Sequence, residues 1–314
     1  MVVIVRVEAP GGLDPEAVLG SLAAHTIPGA ERTDREAGTH SRLVSLASGP
    51  CAVTIRPDAH GVELRAESGA ELSRAGLTGT ERSRTELSRA GSQTDLGVPA
   101  SLVALVREWF DLDADLEPVR DFLSGDQFLA PLLAARPGLR VIGTTDRFQT
   151  AVTTVLGQQV SLAAGRTFSG RLVATYGTDG PGGLRCFPEA AVLADADTEE
   201  LRAAVGLTSA RARTISSMSR LWAESGETPG RKALLAVTGI GPWTVDYLAV
   251  RYGDRDAFTP GDLVLRRALG GVSPHEAETR SEAWRPYRAY ALMHLWTEAA
   301  YAGTSPSEPA PSGV

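Results

Sequence analysis

The chain has 314 residues, 43% hydrophobic and 22% charged, the balance of a globular protein long enough for two or three compact domains. Its formal net charge of −7 counts against a partner gripped mainly by basic side chains, and no apolar run approaches the roughly 20 residues of a membrane helix. Cys51 and Cys186 lie far apart and no Cys/His cluster has ligand spacing, so neither a metal, an iron–sulfur cluster nor any other cofactor is expected.

Residues 1 to about 66 read as mixed α/β. Val2-Val3-Ile4-Val5 and Ala52-Val53-Thr54-Ile55 are β-branched strand candidates, and Val62-Glu63-Leu64-Arg65 alternates apolar with polar. Pro15 to Ala24 carries Leu19, Leu22 and Ala23 at helical spacing. The opening apolar run is short and holds Arg6, so it reads as a strand and not as a secretion signal; a cytoplasmic protein is expected.

Residues from about 67 to 97 are rich in Ser, Gly, Thr, Glu and Arg and contain no aromatic residue. Glu71-Leu-Ser-Arg-Ala-Gly76 recurs as Glu86-Leu-Ser-Arg-Ala-Gly91, a duplication too short for a repeat fold. Such a composition buries too little apolar surface to offset chain entropy, and a mobile insertion is expected.

From Pro99 onward the periodicity is helical. Leu102, Leu105, Val106 and Phe110 share one face, Phe148 to Tyr176 is a long helical region, and Asp197 caps a helix that Gly206 ends. Ala210 to Trp222 is a further helix carrying Arg211, Arg213 and Arg220. Residues 302–314 form a Pro/Ser tail expected to lack order. The domains expected are therefore 1–98, 99–301 and a tail. Acidic residues are frequent in the first 130 residues, while 136–301 is close to neutral, which softens the charge objection to a nucleic-acid partner.

Residues 234–247 read Leu-Leu-Ala-Val-Thr-Gly-Ile-Gly-Pro-Trp-Thr-Val-Asp-Tyr, the form of helix, hairpin, helix. Gly239 and Gly241 are expected where a Cβ would oppose the backbone, Ile240 would anchor the turn, and Pro242 suits the first helical position. Together with Thr244, the hairpin would aim N–H groups at one point beside the positive end of a helix dipole. That arrangement suits a DNA phosphate and reads no base sequence. Taken alone, Gly-Ile-Gly is equally an ordinary turn between helices. Asp262, behind Pro260-Gly261, is by spacing a helix N-cap first.

With these segments, and with Phe258-Thr-Pro-Gly-Asp-Leu263, Trp284-Arg-Pro-Tyr-Arg-Ala-Tyr-Ala-Leu-Met-His-Leu-Trp296 and Leu156-Gly-Gln-Gln-Val-Ser161, the chain resembles the helix-hairpin-helix DNA glycosylase superfamily of AlkA type. The resemblance is specific from about 100 to 301 and faint before 66. It implies an α+β fold: a mainly helical core, with two helical subdomains flanking an active-site cleft, and a small N-terminal α/β domain with a TBP-like antiparallel sheet.

The resemblance also implies a monofunctional glycosylase of base excision repair. It would flip alkylated bases such as 3-methyladenine and 7-methylguanine from double-stranded DNA, acting at the nucleoid as a monomer. Asp262 would be the catalytic carboxylate, Trp243, Tyr247, Trp296 and Gln158 the base pocket, and Gln159 the wedge that fills the gap in the DNA. Gly239, Ile240, Gly241 and Thr244 would hold the phosphate. Bifunctional relatives carry a nucleophilic lysine where Trp243 stands; Lys232 lies upstream on the preceding helix. Gln159 departs from the apolar wedge of the compared enzyme, and Thr238 and Thr297 depart from its Pro and aromatic residue. The other readings are a DNA-binding module that has lost catalysis, a glycosylase for other damaged bases, and a helical interaction protein.

Overall fold

The computed structural model describes residues 2–47, 49–67 and 99–301, with the backbone alone for residues 300 and 301. Nearly all of the insertion expected at 67–97, with its duplication, and the tail after 301 lie outside the described residues.

Five strands form an antiparallel sheet among the described residues, in the order β1-β5-β4-β3-β2. They are β1 (Val2–Glu8), β2 (Glu31–Asp34), β3 (Thr39–Leu46), β4 (Gly49–Asp58) and β5 (Gly61–Glu67). Alternation along β1, β4 and β5 turns Val7, Val53, Ile55, Val62 and Leu64 inward. The helix α1 (Pro15–His25), capped by the Asp14 carboxylate on the N–H of Ala17, covers that face with Ala17, Val18 and Leu22. Three strands, β1, β4 and β5, stand where the β-branched runs and the alternating segment place them. β2 and β3 were not expected: the inward row of β3 reads His40, Arg42 and Val44, β2 has no buried residue, and neither shows an apolar stripe.

The helices that follow are α2 (Ala100–Trp109), α3 (Leu116–Leu123), α4 (Ala130–Ala135), α5 (Arg147–Gly157), α6 (Leu162–Tyr176), α7 (Ala190–Asp195), α8 (Thr198–Val205) and α9 (Ser209–Ser225). Next come α10 (Arg231–Leu235), α11 (Pro242–Arg251), α12 (Leu263–Ala268), α13 (Pro274–Ser281) and α14 (Arg288–Trp296). The long helical region expected over Phe148–Tyr176 is two helices, broken at Gln158–Ser161 where the Ser161 hydroxyl accepts from Ala164 N–H and caps α6.

The helices divide between two cores. One joins the sheet and α1 to α2, α3, α4 and α14, with Trp109, Phe110, Leu116, Trp284 and Tyr290 buried within it. The other gathers α5 to α11 around Val152, Leu193, Ile215, Met218 and Leu248. α11 spans both, since Leu248 packs in the second and Val250 in the first. A cleft opens between the halves.

Arg140 clamps the sheet to the helices. It is fully buried, and its guanidinium donates to the carbonyls of Pro10, Gly12, Asp111 and Ala114. Burial pushes its pKa down, but four carbonyl acceptors satisfy a charge that would otherwise be costly to bury.

Candidate active site

The hairpin between α10 and α11 is built as its composition requires. Ile240 is buried in the second core and its N–H donates to the Val237 carbonyl at 3.0 Å. Gly239 has φ +93°, and a Cβ there would meet Thr214 Oγ1 at 2.2 Å, so no other residue fits. The Thr214 hydroxyl donates to the Thr238 carbonyl at 2.9 Å and pins the turn to α9. Gly241 differs from expectation. Its φ of −106° suits any residue, and a Cβ would meet nothing within 4 Å. Its glycine leaves open space in front of the helix, not a special dihedral. The N–H groups of Gly239 and Gly241 take no part in the backbone hydrogen bonds of the described residues.

Thr244 is also corrected. Its side chain is buried, its hydroxyl accepts from Gln158 Nε2 at 2.9 Å, and its N–H donates to the Gly241 carbonyl at 3.1 Å. It braces the hairpin from behind and offers no group to a phosphate. Ile240 likewise contributes an anchor and not an exposed N–H.

Gln158, expected as a pocket wall, is not one. Its carboxamide donates to the Gly239 carbonyl at 3.2 Å as well as to Thr244, so the α5–α6 turn and the hairpin are tied together. Arg211 holds the same turn by donating to the Gln158 carbonyl at 2.5 Å. Gln159 follows, exposed and with φ +55°, a left-handed conformation that costs a non-glycine residue of the order of 1 kcal/mol.

Behind the turn lies a cavity of about 350 Å³. Trp243, Tyr247, Asp262 and Trp296 all line it. Trp243 and Tyr247, one turn apart on α11, stack with ring centres 5.6 Å apart and planes 21° apart. Tyr247 meets Trp296 at 5.7 Å. Asp262 is the N-cap of α12: its Oδ1 accepts from the Leu265 N–H at 2.8 Å. The same carboxylate accepts from Trp296 Nε1 at 3.1 Å and, through Oδ2, from Trp243 Nε1 at 3.2 Å. Cap and aromatic box are thus one unit, fixed from three sides. The spacing of these residues gave no sign of the indole bonds. Lys232, the only lysine of the sequence, is exposed and does not line the cavity.

The N-terminal sheet supplies residues that sequence reading left out. Glu31 and Arg42 line the same cavity and form a buried ion pair at 3.2 Å. Gln149 joins them, accepting from Arg42 Nη2 at 3.1 Å and donating to Glu31 at 3.0 Å. The Arg42 guanidinium lies 5.4 Å from the ring centre of Trp109. The polar inward row of β3 could have signalled this, since a strand with Arg where a core residue belongs must face something polar. Among the described residues no group of side chains could hold a metal ion, and no helix is long and apolar enough to cross a membrane.

Residues 6–146 match the AlkA N-terminal domain family, and residues 152–288 match the HhH-GPD superfamily of base excision DNA repair proteins. A DNA-3-methyladenine glycosylase 2 of Escherichia coli is 34% identical over 211 residues, covering 63% of this chain and 72% of that protein. The chain belongs to the HhH-GPD superfamily. A probable bifunctional transcriptional activator/DNA repair enzyme AlkA of Mycobacterium tuberculosis is 34% identical over 299 residues, which cover 90% of this chain. The chain spans about half the length of that relative, 54%. In fold, the HhH-GPD chain is similar to a 3-methyladenine DNA-glycosylase from Archaeoglobus fulgidus, with a TM-score of 0.73 at 18% identity, covering 96% of this chain and 100% of that one. The expected fold class, a helical HhH-GPD core with an N-terminal antiparallel sheet, is the observed one.

Proposed function

We propose that this chain is a monofunctional DNA glycosylase that removes alkylated bases from double-stranded DNA and leaves an abasic site. The observation that carries the reading is the Asp262 carboxylate, held by two indole N–H groups and a helix N-terminus at the wall of an aromatic cavity. Support comes also from the names of its relatives, which include DNA-3-methyladenine glycosylases of Escherichia coli and Bacillus subtilis.

In this reading the backbone N–H groups of Gly239 and Gly241 hold a DNA phosphate beside the positive end of α11. Gln159 enters the gap left by the flipped nucleotide. The alkylated purine, positively charged, stacks on Trp243, Tyr247 and Trp296, whose π faces attract a cation. The C1′–N bond breaks with its electron pair going to the base, which leaves neutral. The positive charge moves to the sugar, where Asp262 stabilises it. A water oxygen then bonds to C1′ and its proton passes to solvent. Lys232 is remote, so no amine is placed for a Schiff base and the strand stays whole. The chain acts as a monomer in the cytoplasm, at the nucleoid, and its domains divide at 98/99.

The test is incubation with methylated duplex DNA and chromatography of the released bases. Free 3-methyladenine and 7-methylguanine are expected, with no covalent adduct on borohydride treatment. Absence of free base, or equal release by Asp262→Asn, overturns the reading; a trapped adduct overturns its monofunctional part.

A further inference from the structure

Three residues at four-residue spacing on α11 line the cavity: Trp243, Tyr247 and Arg251. The first two belong to the aromatic box. Arg251 has no part in the chemistry described so far. Its Nε is buried with no hydrogen-bond partner, and no described residue forms an ion pair or hydrogen bond with its guanidinium. The other arginines of the cavity are committed. Arg42 is paired with Glu31 and Gln149, and Arg166 donates to the Thr26 carbonyl at 3.2 Å.

The position of Arg251 follows from how α5 and α11 run. They lie antiparallel: the Gln158–Thr244 bond joins them at the hairpin end, and the Tyr252 hydroxyl donates to the Arg147 carbonyl at 2.8 Å at the other. Arg251 is therefore at the end away from Asp262's partner Trp243, one turn beyond Tyr247, or about 6 Å along the axis. Helical side chains lean toward the helix N-terminus, which tips its guanidinium back toward Tyr247. Its charge is felt inside the cavity: burial first, then Arg251, push the pKa of His25 down to about 4.

We infer that Arg251 is a specificity-determining residue that donates a hydrogen bond to the oxygen at C6 of a flipped purine, so that the cavity favours guanine-type alkylated bases over adenine-type ones. The inference rests on the alkyl-base reading above. A purine stacked on Trp243 and Tyr247 with its glycosidic nitrogen beside Asp262 directs its far edge along α11 toward Arg251. In 7-methylguanine that edge carries a carbonyl oxygen, which accepts from a guanidinium. In 3-methyladenine it carries an amino group, which presents a donor to a donor. Both nucleotides carry one positive charge, so repulsion by Arg251 weighs on both alike. The two bases also differ at N1, at C2 and in the methylated nitrogen, so the quantity that reports the Arg251 contact is the change in their ratio when the guanidinium is removed.

The experiment measures kcat/KM for both bases, released from the same methylated duplex, by the full chain and by its Arg251→Met and Arg251→Lys forms. The ratio of 7-methylguanine to 3-methyladenine release should fall about tenfold or more in Arg251→Met, the scale at which a lost charged hydrogen bond is felt. Arg251→Lys, which keeps a cationic donor, should recover part of it. A purely structural role would lower both rates together and leave the ratio unchanged, and that result overturns the inference, as does a ratio unmoved in both variants. Release of neither base by the unaltered chain overturns the alkyl-base reading and the inference with it. Release of both with an unmoved ratio overturns the inference alone.

Discussion

Trp296 Nε1 donates to Asp262 Oδ1 at 3.1 Å, although 34 residues separate them. Oδ1 also accepts the N–H that starts α12, so one oxygen serves cap and indole while Oδ2 receives Trp243. A carboxylate so held does not need to reorganise when charge develops nearby. Asp262→Asn should cut base release by about 100-fold or more at a cost of about 1 kcal/mol of stability, because the asparagine oxygen keeps the cap while its NH2 group meets the Trp243 N–H as donor against donor. Trp296→Phe keeps the ring and removes the donor, and should lower kcat about tenfold. Single-turnover rates, with urea midpoints as a control, separate the two effects.

The two hairpin glycines should part company on mutation. Gly239→Ala places a methyl against Thr214 at a φ of +93°, and should cost about 2 kcal/mol or more of stability. Gly241→Ala meets nothing within 4 Å and should fold normally. Its methyl would occupy the space through which a phosphate approaches, so affinity for duplex DNA should drop several-fold. Thermal melts and gel shifts on an abasic analogue check both.

Gln159 offers the opposite trade. Gln159→Gly relieves the left-handed strain and should stabilise the chain by up to about 1 kcal/mol. It also removes the side chain proposed to fill the gap in the DNA. A form that melts higher yet releases base more slowly is the expected outcome.

Arg140→Met would leave four carbonyls without their donor, that of Ala114 buried, and should destabilise by about 3 kcal/mol, measured by urea unfolding. The effect should appear as loss of the joint between sheet and helices, not as a change in cavity chemistry.

Three histidines, His25, His40 and His294, should make stability fall in acid. Burial is the main cause that lowers each of them from the ordinary 6.5 to about 4. The unfolded chain therefore binds more protons than the fold between pH 6.5 and about 4. Their contribution is fully present above pH 6.5 and is lost as pH drops through that window, by roughly 3 kcal/mol per histidine at most. Urea midpoints at pH 7.5 and 4.5 should differ accordingly, and by less in His294→Gln.

Much of this site was legible in the order of residues, and the rest was not, for physical reasons. A tight hairpin announces itself because Gly239 has no alternative, and the helices of the second half show because their apolar faces repeat at 3.6 residues. Gln158 and Thr244 were placed in the right neighbourhood with the wrong duties. Which way a short polar side chain turns depends on a partner 86 residues away, and no local pattern records it. β2 and β3 were missed because their inward residues face a polar cavity and not a core. The strands that depart from apolar alternation are the ones that reach the site.

The bond from Gln158 to the Gly239 carbonyl has a geometric consequence. It fastens the turn that ends in Gln159 to the hairpin that meets the backbone, so the two cannot slide independently. On the proposed function, a phosphate held at one fixes where the other touches the duplex. The pair then behaves as a caliper: it spans a set interval along the strand and selects the nucleotide by distance from a grip that is blind to sequence.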